Sequence, residues 1–320
     1  ASRFHHPFLR RAFAQMFSWE EAPLMMGMAL LAYMYNRNAG FPQGGSLAFA
    51  QAIEKRFIEL GGEILYNSQV EKILVENGQA KGIRLYNDEV YSGDVVISAC
   101  DGRTTIFDLL EGKFINRQIQ RMYDGHLPMH SMMQISLGLK RDLSEFPHWT
   151  TYLLERDILI AGEPRREIGI KHYCFDPSLA PPGKSVVEII VRTHYPYWQH
   201  IYGRRIYDEE QRQVSDILRS YLEEWHPGIN GDVEIVDEAT PLSYERYTGN
   251  WQGSTCGFLL TKETMPMLIK GVAKTLPGLK NFYLTGQWVE PGGSVPLAAS
   301  SGKNVIQLIC AADGIPFTTH

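Results

Sequence analysis

NFYLTGQWVEPGGSVPLAASSGKNVIQLICAADG, residues 281–314, is the stretch whose reading decides the fold of this chain. A short apolar strand, Phe282 to Thr285, stops at Gly286. A Pro291-Gly292-Gly293 loop follows, and then a helix with Pro296 near its first turn, running to a C-terminal Gly314. Such a unit presents backbone N–H groups and the positive end of a helix to an anion or an electron-rich ring. Taken alone the pattern is common. It gains meaning beside a second segment.

That segment is residues 41–100, FPQGGSLAFAQAIEKRFIELGGEILYNSQVEKILVENGQAKGIRLYNDEVYSGDVVISAC. Leu47, Ala50, Ile53, Phe57 and Leu60 recur at helical spacing, so Ser46 to Leu60 reads as an amphipathic helix ended by Gly61-Gly62. Next come a short strand near Glu63 to Tyr66 and a hairpin. The hairpin joins Val70–Glu76 to Lys81–Tyr86 through an Asn77-Gly78 turn. Asp94 to Ala99 is a continuous apolar strand of the fully buried type.

Asp101-Gly102 marks the exit into a second region, where Ser131–Lys140, Glu167–Phe175 and Ser185–Thr193 alternate as strands of one sheet. Asp208 is an N-cap candidate with Gln211 three residues on. The helix after it is expected to bury Val214, Ile217, Leu218, Tyr221, Leu222 and Trp225. Asp232–Ala239 reads as another strand, and Met267–Leu276 as a helix leading back through Pro277-Gly278.

The two segments together resemble the FAD-dependent carotenoid (phytoene) desaturase, carotenoid isomerase and retinol saturase family, which is related to the flavin amine oxidases. The resemblance lies in Pro42-Gln43-Gly44-Gly45-Ser46, Val70-Glu71-Lys72-Ile73, Ala80-Lys81-Gly82-Ile83 and Asp94 to Ala99. It continues in Ala239-Thr240-Pro241, Tyr247-Thr248-Gly249-Asn250, Tyr283 to Trp288 and Pro291-Gly292-Gly293. It implies an α/β chain with some α+β character. A partial FAD/NAD(P)-binding Rossmann-like domain would stand beside a sheet-and-helix substrate domain. The expected division is a helical segment at 1–40 packing on the substrate domain, flavin-domain parts at 41–101 and 267–320, and the substrate domain at 102–266.

Members of the family open with a strand, a G-x-G-x-x-G turn and a helix that hold the FAD pyrophosphate. No G-x-G-x-x-G occurs in these 320 residues, and the chain starts at Ala1 in sequence that the family places after that unit. The expectation is the C-terminal portion of a longer flavoenzyme, with FAD in the full-length protein and none held tightly by this chain, which alone is expected to be inactive. The resemblance places Gly286 near the pyrophosphate and Gly292 and Gly293 where the flavin approaches the backbone. It sets N–H groups around Val295 at the N1/O2 edge of the ring, and gives Val70 a backbone contact with the adenine end. Gly44 and Gly45 read either as flavin contacts or as a tight helix entry. Gln287 stands where many relatives carry an acidic residue, which weakens its claim on the ribityl hydroxyls.

The implied reaction is desaturation, saturation or isomerisation of a long lipophilic polyene such as a carotenoid or retinoid. Two alternatives remain: a flavin amine-oxidase-like enzyme, for which Trp288 is the single aromatic candidate near the ring, and a non-catalytic fragment that has lost FAD. A net charge of -5 argues against a nucleic-acid binder. Four scattered cysteines read as reduced, mostly buried thiols in a cytoplasmic setting. The histidines lack zinc-ligand spacing with them, and neither a metal site nor an acid–base set stands out. The cluster Tyr195, Tyr197, Trp198, Tyr202 and Tyr207 reads as a surface loop. Ala22 to Tyr35 is a Met-rich apolar run of 14 residues, too short to span a bilayer core of roughly 30 Å. It reads as a buried helix or as a lipophilic, membrane-facing entrance, which carries the expectation of peripheral membrane contact. A sheet edge uncovered beside Asp94–Ala99 and Phe282–Thr285 carries the expectation of self-association.

Overall fold

The computed structural model describes residues 3–15 and 23–319. The chain begins with α1 (Pro7–Gln15), α2 (Leu24–Tyr35) and α3 (Gly45–Glu59), followed by β1 (Val70–Glu76), β2 (Gln79–Leu85), β3 (Val90–Ser92) and β4 (Val96–Ser98). A π-helical turn at Thr104–Leu109 leads to α4 (Arg117–Met122), β5 (Met132–Leu139), β6 (Trp149–Ile160), β7 (Glu163–His172) and β8 (Ser185–Arg192). Then come α5 (Tyr195–Tyr202), α6 (Tyr207–Trp225), β9 (Val233–Ala239), α7 (Pro241–Thr248), α8 (Met265–Lys270), β10 (Phe282–Leu284) and α9 (Val295–Ala312). Contacts divide the chain into two units, Ala1–Ile64 with Ser131–Ser243 and Leu65–His130 with Tyr244–His320. The Gly44-Gly45 segment thus groups with the antiparallel sheet, not with the hairpin that follows it in sequence.

The first unit is built on a sheet of order β6-β7-β8-β5-β9, antiparallel throughout. Met133, Ile135, Leu137 and Leu139 of β5 alternate with half-buried neighbours and form one apolar face with Ile168 of β7 and Ile189 of β8. Burying every second side chain is what a period of two dictates for a sheet covered on one side. Val214, Leu218 and Leu222 of α6 complete that core. Ile217 is exposed, so the buried stripe of α6 is narrower than its apolar residues suggest. In the second unit, β1, β2 and β3 form an antiparallel sheet turning at Asn77 (φ 48°) and Gly78 (φ 71°). Two consecutive positive φ values make the primed turn that suits strand twist. Beside it, β4 and β10 pair in parallel, with Phe282 opposite Val96 and Leu284 opposite Ser98.

Several expectations are corrected. No strand forms at Glu63–Tyr66, where Ile64, Leu65 and Tyr66 are exposed and no neighbouring strand among the described residues supplies a ladder. β6 and β3, absent from the sequence reading, are present. The Asp208 cap does not form: α6 starts at Tyr207, Asp208 lies in its first turn, and the Gln211 side chain donates to the Glu238 carbonyl at 2.8 Å. Tyr195 to Tyr202 is helix rather than loop, because Trp198 is fully buried and donates to Thr193 Oγ1 at 2.8 Å. The α8 helix ends at Lys270, before Gly271 with φ 74°. Cys100 is exposed, and all four cysteines are free thiols.

The first helical stretch also divides. Arg11 of α1 donates to the carbonyls of Leu154 and Arg166, both at 3.1 Å, which docks α1 on the sheet. In α2, by contrast, Gly27 is the buried residue, while Met25, Met28, Leu31 and Met34 are exposed. Ala22, at the start of the apolar run, lies outside the described residues. Nor are residues of α3 buried, although Leu47, Ile53 and Phe57 line one side of it and Leu60 follows at its C-cap. β4 is likewise not the buried strand expected, since Ile97 is 42% exposed.

Candidate functional site

β4 and β10 run in the same direction and end together, with Thr285 N–H donating to the Ser98 carbonyl at 2.9 Å. The carboxyl ends of parallel strands are where open α/β sheets bind ligands. Here that end is occupied by Gly286, whose φ of 94° favours glycine. Its N–H donates to Ser301 Oγ at 3.0 Å, and the same hydroxyl bonds Thr285 Oγ1 at 3.0 Å. Ser301 is fully buried on α9, so one hydroxyl ties the helix to the end of β10. Ser294 caps α9 by accepting from Leu297 N–H at 3.4 Å. Pro296 has no N–H, and Val295, at the first helical position, is exposed. An N–H there has no acceptor inside the helix, which leaves it for an anion or a carbonyl.

The far end of the loop is closed by the protein itself. Gly292 N–H donates to the Phe258 carbonyl at 3.0 Å. A Cβ on Gly293 would lie 2.2 Å from Cys256 Cβ and 2.6 Å from its carbonyl oxygen. The sequence reading took these glycines as room for a flavin ring. The structure shows that Gly293 is also required by its own chain. Burial pushes the Cys256 thiol up to about 11, so it is neutral at ordinary pH. Gly257 makes the reciprocal approach, its absent Cβ pointing 2.8 Å from the Gln287 carbonyl, and the Gln287 residue is half-buried.

Behind the loop lies a buried polar pin that sequence reasoning missed. Asp101, three residues beyond β4, is 5% exposed. Its carboxylate accepts from Thr104 N–H and Trp251 N–H, each at 2.8 Å. Burial raises its pKa, and the backbone donors offset part of the rise. Asn250 Oδ1 accepts from Trp288 Nε1 at 3.4 Å. Trp288 is 3% exposed and meets Phe258 edge-on, with ring centroids 5.3 Å apart. The Tyr247–Asn250 segment is therefore joined to the loop. Beside the pin, a Cβ on Gly102 would fall 2.1 Å from the Tyr123 hydroxyl, so packing requires that glycine.

The remaining predicted residues are placed as follows. Val70 opens β1 opposite Leu85, half-buried, in the same unit as Gly286. Gly44 and Gly45 lie in the other unit, with φ 81° and 79°. Gly44 N–H donates to Asp176 Oδ2 at 2.7 Å, and Gly45 approaches Leu179. Ser178 and the Gly44 N–H hold the Asp176 carboxyl below the usual carboxylate range. A tight helix entry accounts for both glycines. Among the described residues no group of three His, Cys, Asp or Glu is placed to hold a metal ion.

The family model described as flavin containing amine oxidoreductase matches residues 3–310. The chain belongs to this family. Within its relatives, a chloroplastic prolycopene isomerase of Daucus carota is 25% identical over 301 residues, covering 92% of this chain and 48% of that protein. A lycopene-forming phytoene desaturase of Pseudescherichia vulneris is 24% identical over 284 residues, covering 84% and 56%. The resemblance to carotenoid isomerases and desaturases is thereby supported. An oxidoreductase from Methanosarcina mazei shares the fold, with a TM-score of 0.61 at 20% identity over 92% of this chain and 62% of that one. The chain spans about half the length of the curated relatives it matches.

The family implies FAD, and the loop fits it in part. Gly286 leaves space on the side where a Cβ would sit, with the Ala99 carbonyl oxygen 3.7 Å away, and Val295 offers an N–H at an open helix end. Gly292 and Gly293 support the loop from within the chain.

Proposed function

We propose that this chain is part of an FAD-dependent oxidoreductase, of desaturase, saturase or isomerase type, acting on a long lipophilic polyene such as a carotenoid. The observation that carries the reading is the strand–glycine–helix junction locked by Ser301, in a chain whose relatives are named for prolycopene and phytoene chemistry. FAD, when bound, supplies the acceptor or donor of a hydride. The chain's own contribution is geometric. Gly286 lets the backbone turn beside an anion, Val295 leaves an N–H without an acceptor inside the helix at the exposed start of α9, and Ser301 ties Gly286 to that helix. Trp288, buried against Phe258, does not supply the exposed aromatic wall that an amine-oxidase-like reading needs.

The test is to purify the full-length protein that carries this chain and record its absorbance. A flavin spectrum, followed by conversion of a prolycopene or phytoene substrate in lipid, is the expected result. A folded full-length protein without flavin overturns the cofactor, and a flavoprotein that oxidises amines but leaves polyenes unchanged overturns the substrate class. FAD titrated against the 320-residue chain is expected to show no submicromolar binding, because half a site offers few contacts against the cost of association.

Among the described residues no helix is long and apolar enough to cross a membrane. The exposed Met25, Met28, Leu31 and Met34 of α2 support reversible, peripheral contact with lipid. Liposome co-sedimentation checks it, and absence of binding on neutral and anionic vesicles alike counts against it. Among the described residues no further strand pairs with β4 or β10, and although Leu284 N–H of β10 donates to the Lys274 carbonyl at 2.7 Å, the outer edge of β4 supports self-association, which sedimentation velocity reads directly.

A further inference from the structure

The second unit contains a pocket that the flavin reading does not use. Its volume is about 240 Å³, and its floor is apolar, formed by Ile106, Leu284, Trp288 and Val289. Asn116, Gln118 and Thr275 stand exposed around the mouth. Trp288 and Val289 belong to the Gly286–Gly293 loop, so the floor of the pocket is the inner side of that loop.

Three features define what fits. An engineered apolar cavity of roughly 150 Å³ takes a benzene ring, so this one has room for a larger body. Among the described residues no charged side chain lines it. Of the charges adjacent in sequence to its lining, Arg117, Arg121 and Asp124 are exposed and do not line it, and Lys274 and Glu290 pair with each other at 2.7 Å with side chains 11% and 15% exposed. An ionised ligand would have to shed water without gaining a counter-charge, which is costly. At the mouth, Asn116 Oδ1 already accepts from Ile119 N–H at 2.9 Å, which leaves the side chains of Gln118 and Thr275 to meet a hydroxyl.

We propose that this pocket is a binding site for an uncharged apolar small molecule, an alkyl or alicyclic body ending in one hydroxyl. The inference is independent of FAD and of the polyene. The ligand's body sits against the Trp288 indole, and its hydroxyl meets the Gln118 amide and the Thr275 hydroxyl at the mouth.

The probe is 1-heptanol, with heptanoate as its charged counterpart, followed by saturation-transfer NMR on the chain. Saturable binding of heptanol, and binding of heptanoate at least tenfold weaker, are expected. Ala273→Trp, at an exposed position on the rim, closes the mouth and weakens heptanol binding at least tenfold while Tm stays unchanged. Gln118→Trp on the opposite rim serves the same purpose if the first variant misfolds. Equal binding of alcohol and carboxylate, undiminished binding in a folded rim variant, or no heptanol binding up to its solubility each overturns the proposal.

Discussion

The two ends of the Gly286–Gly293 loop both need glycine, for different reasons. At Gly286 the backbone has φ 94°, and the nearest atom to an added Cβ is the Ala99 carbonyl oxygen at 3.7 Å. At Gly293 the φ is 40°, and an added Cβ collides with Cys256 at 2.2 Å. One glycine is demanded by conformation and leaves room for something else. The other is demanded by the protein's own packing. A Pro-Gly-Gly pattern looks the same in sequence in either case, and its meaning comes from the bend at Cys256, more than thirty residues earlier.

The widest way to break the comparison is Gly293→Val. Overpacking a closed site against backbone leaves nothing flexible to move, and the cost is about 3 kcal/mol. Tm should drop by roughly 6–12 °C, read by calorimetry on the chain itself. An unchanged Tm would show that the loop shifts freely and that its closed end is not closed. Next in size is Ser301→Ala. It strips the acceptor from Gly286 N–H and the partner from Thr285 Oγ1 in a fully buried place. The expected loss is about 2 kcal/mol, with amide exchange at Gly286 quickening in step. Fast exchange without loss of stability would mean that the hydroxyl aims the loop but does not hold it.

Much of the loop's architecture was legible beforehand, and the reasons are local. Phe282 to Leu284 has an apolar run, Gly286 ends it, and Pro296 marks the first turn of a helix. Asn77-Gly78 was equally plain. Ser301 was invisible because a serine in a helix interior carries no sign of the strand end it touches fifteen residues away. Asp101 was hidden similarly, its partner Trp251 lying at a sequence separation of 150. The failures elsewhere share one cause. The apolar period of α3 correctly marks a helix, yet α6, with a similar stripe, is packed and α3 is not. Periodicity reports which face could be buried, and only a partner element decides whether it is.

Gly286→Ala sharpens the open end. Holding alanine at φ 94° costs about 1 kcal/mol, less than either change above, because no atom blocks the new methyl group. If the open space serves a ligand, flavin content of the full-length protein should fall much further than its stability does. Equal losses would make Gly286 a turn residue and nothing more.

The smallest effect is a tilt with pH, and it concerns the pin behind the open end. Burial raises the Asp101 pKa in the folded state above its ordinary value of 3.8, although Thr104 and Trp251 donate to the carboxylate. A carboxyl group whose folded pKa is raised favours folding most below its unfolded pKa. That advantage fades as pH climbs through the folded value. Asp101→Asn cannot titrate, and its single carbonyl oxygen can accept fully from only one of the two N–H groups. The stability of the wild type relative to the variant should therefore be greatest near pH 4 and shrink toward neutrality, as measured by Tm at closely spaced pH values from about 3.5 to 7. A gap that widens with rising pH would reverse the sign. It would show that the two backbone donors outweigh burial and that Asp101 is held as a stable anion at the end of β4.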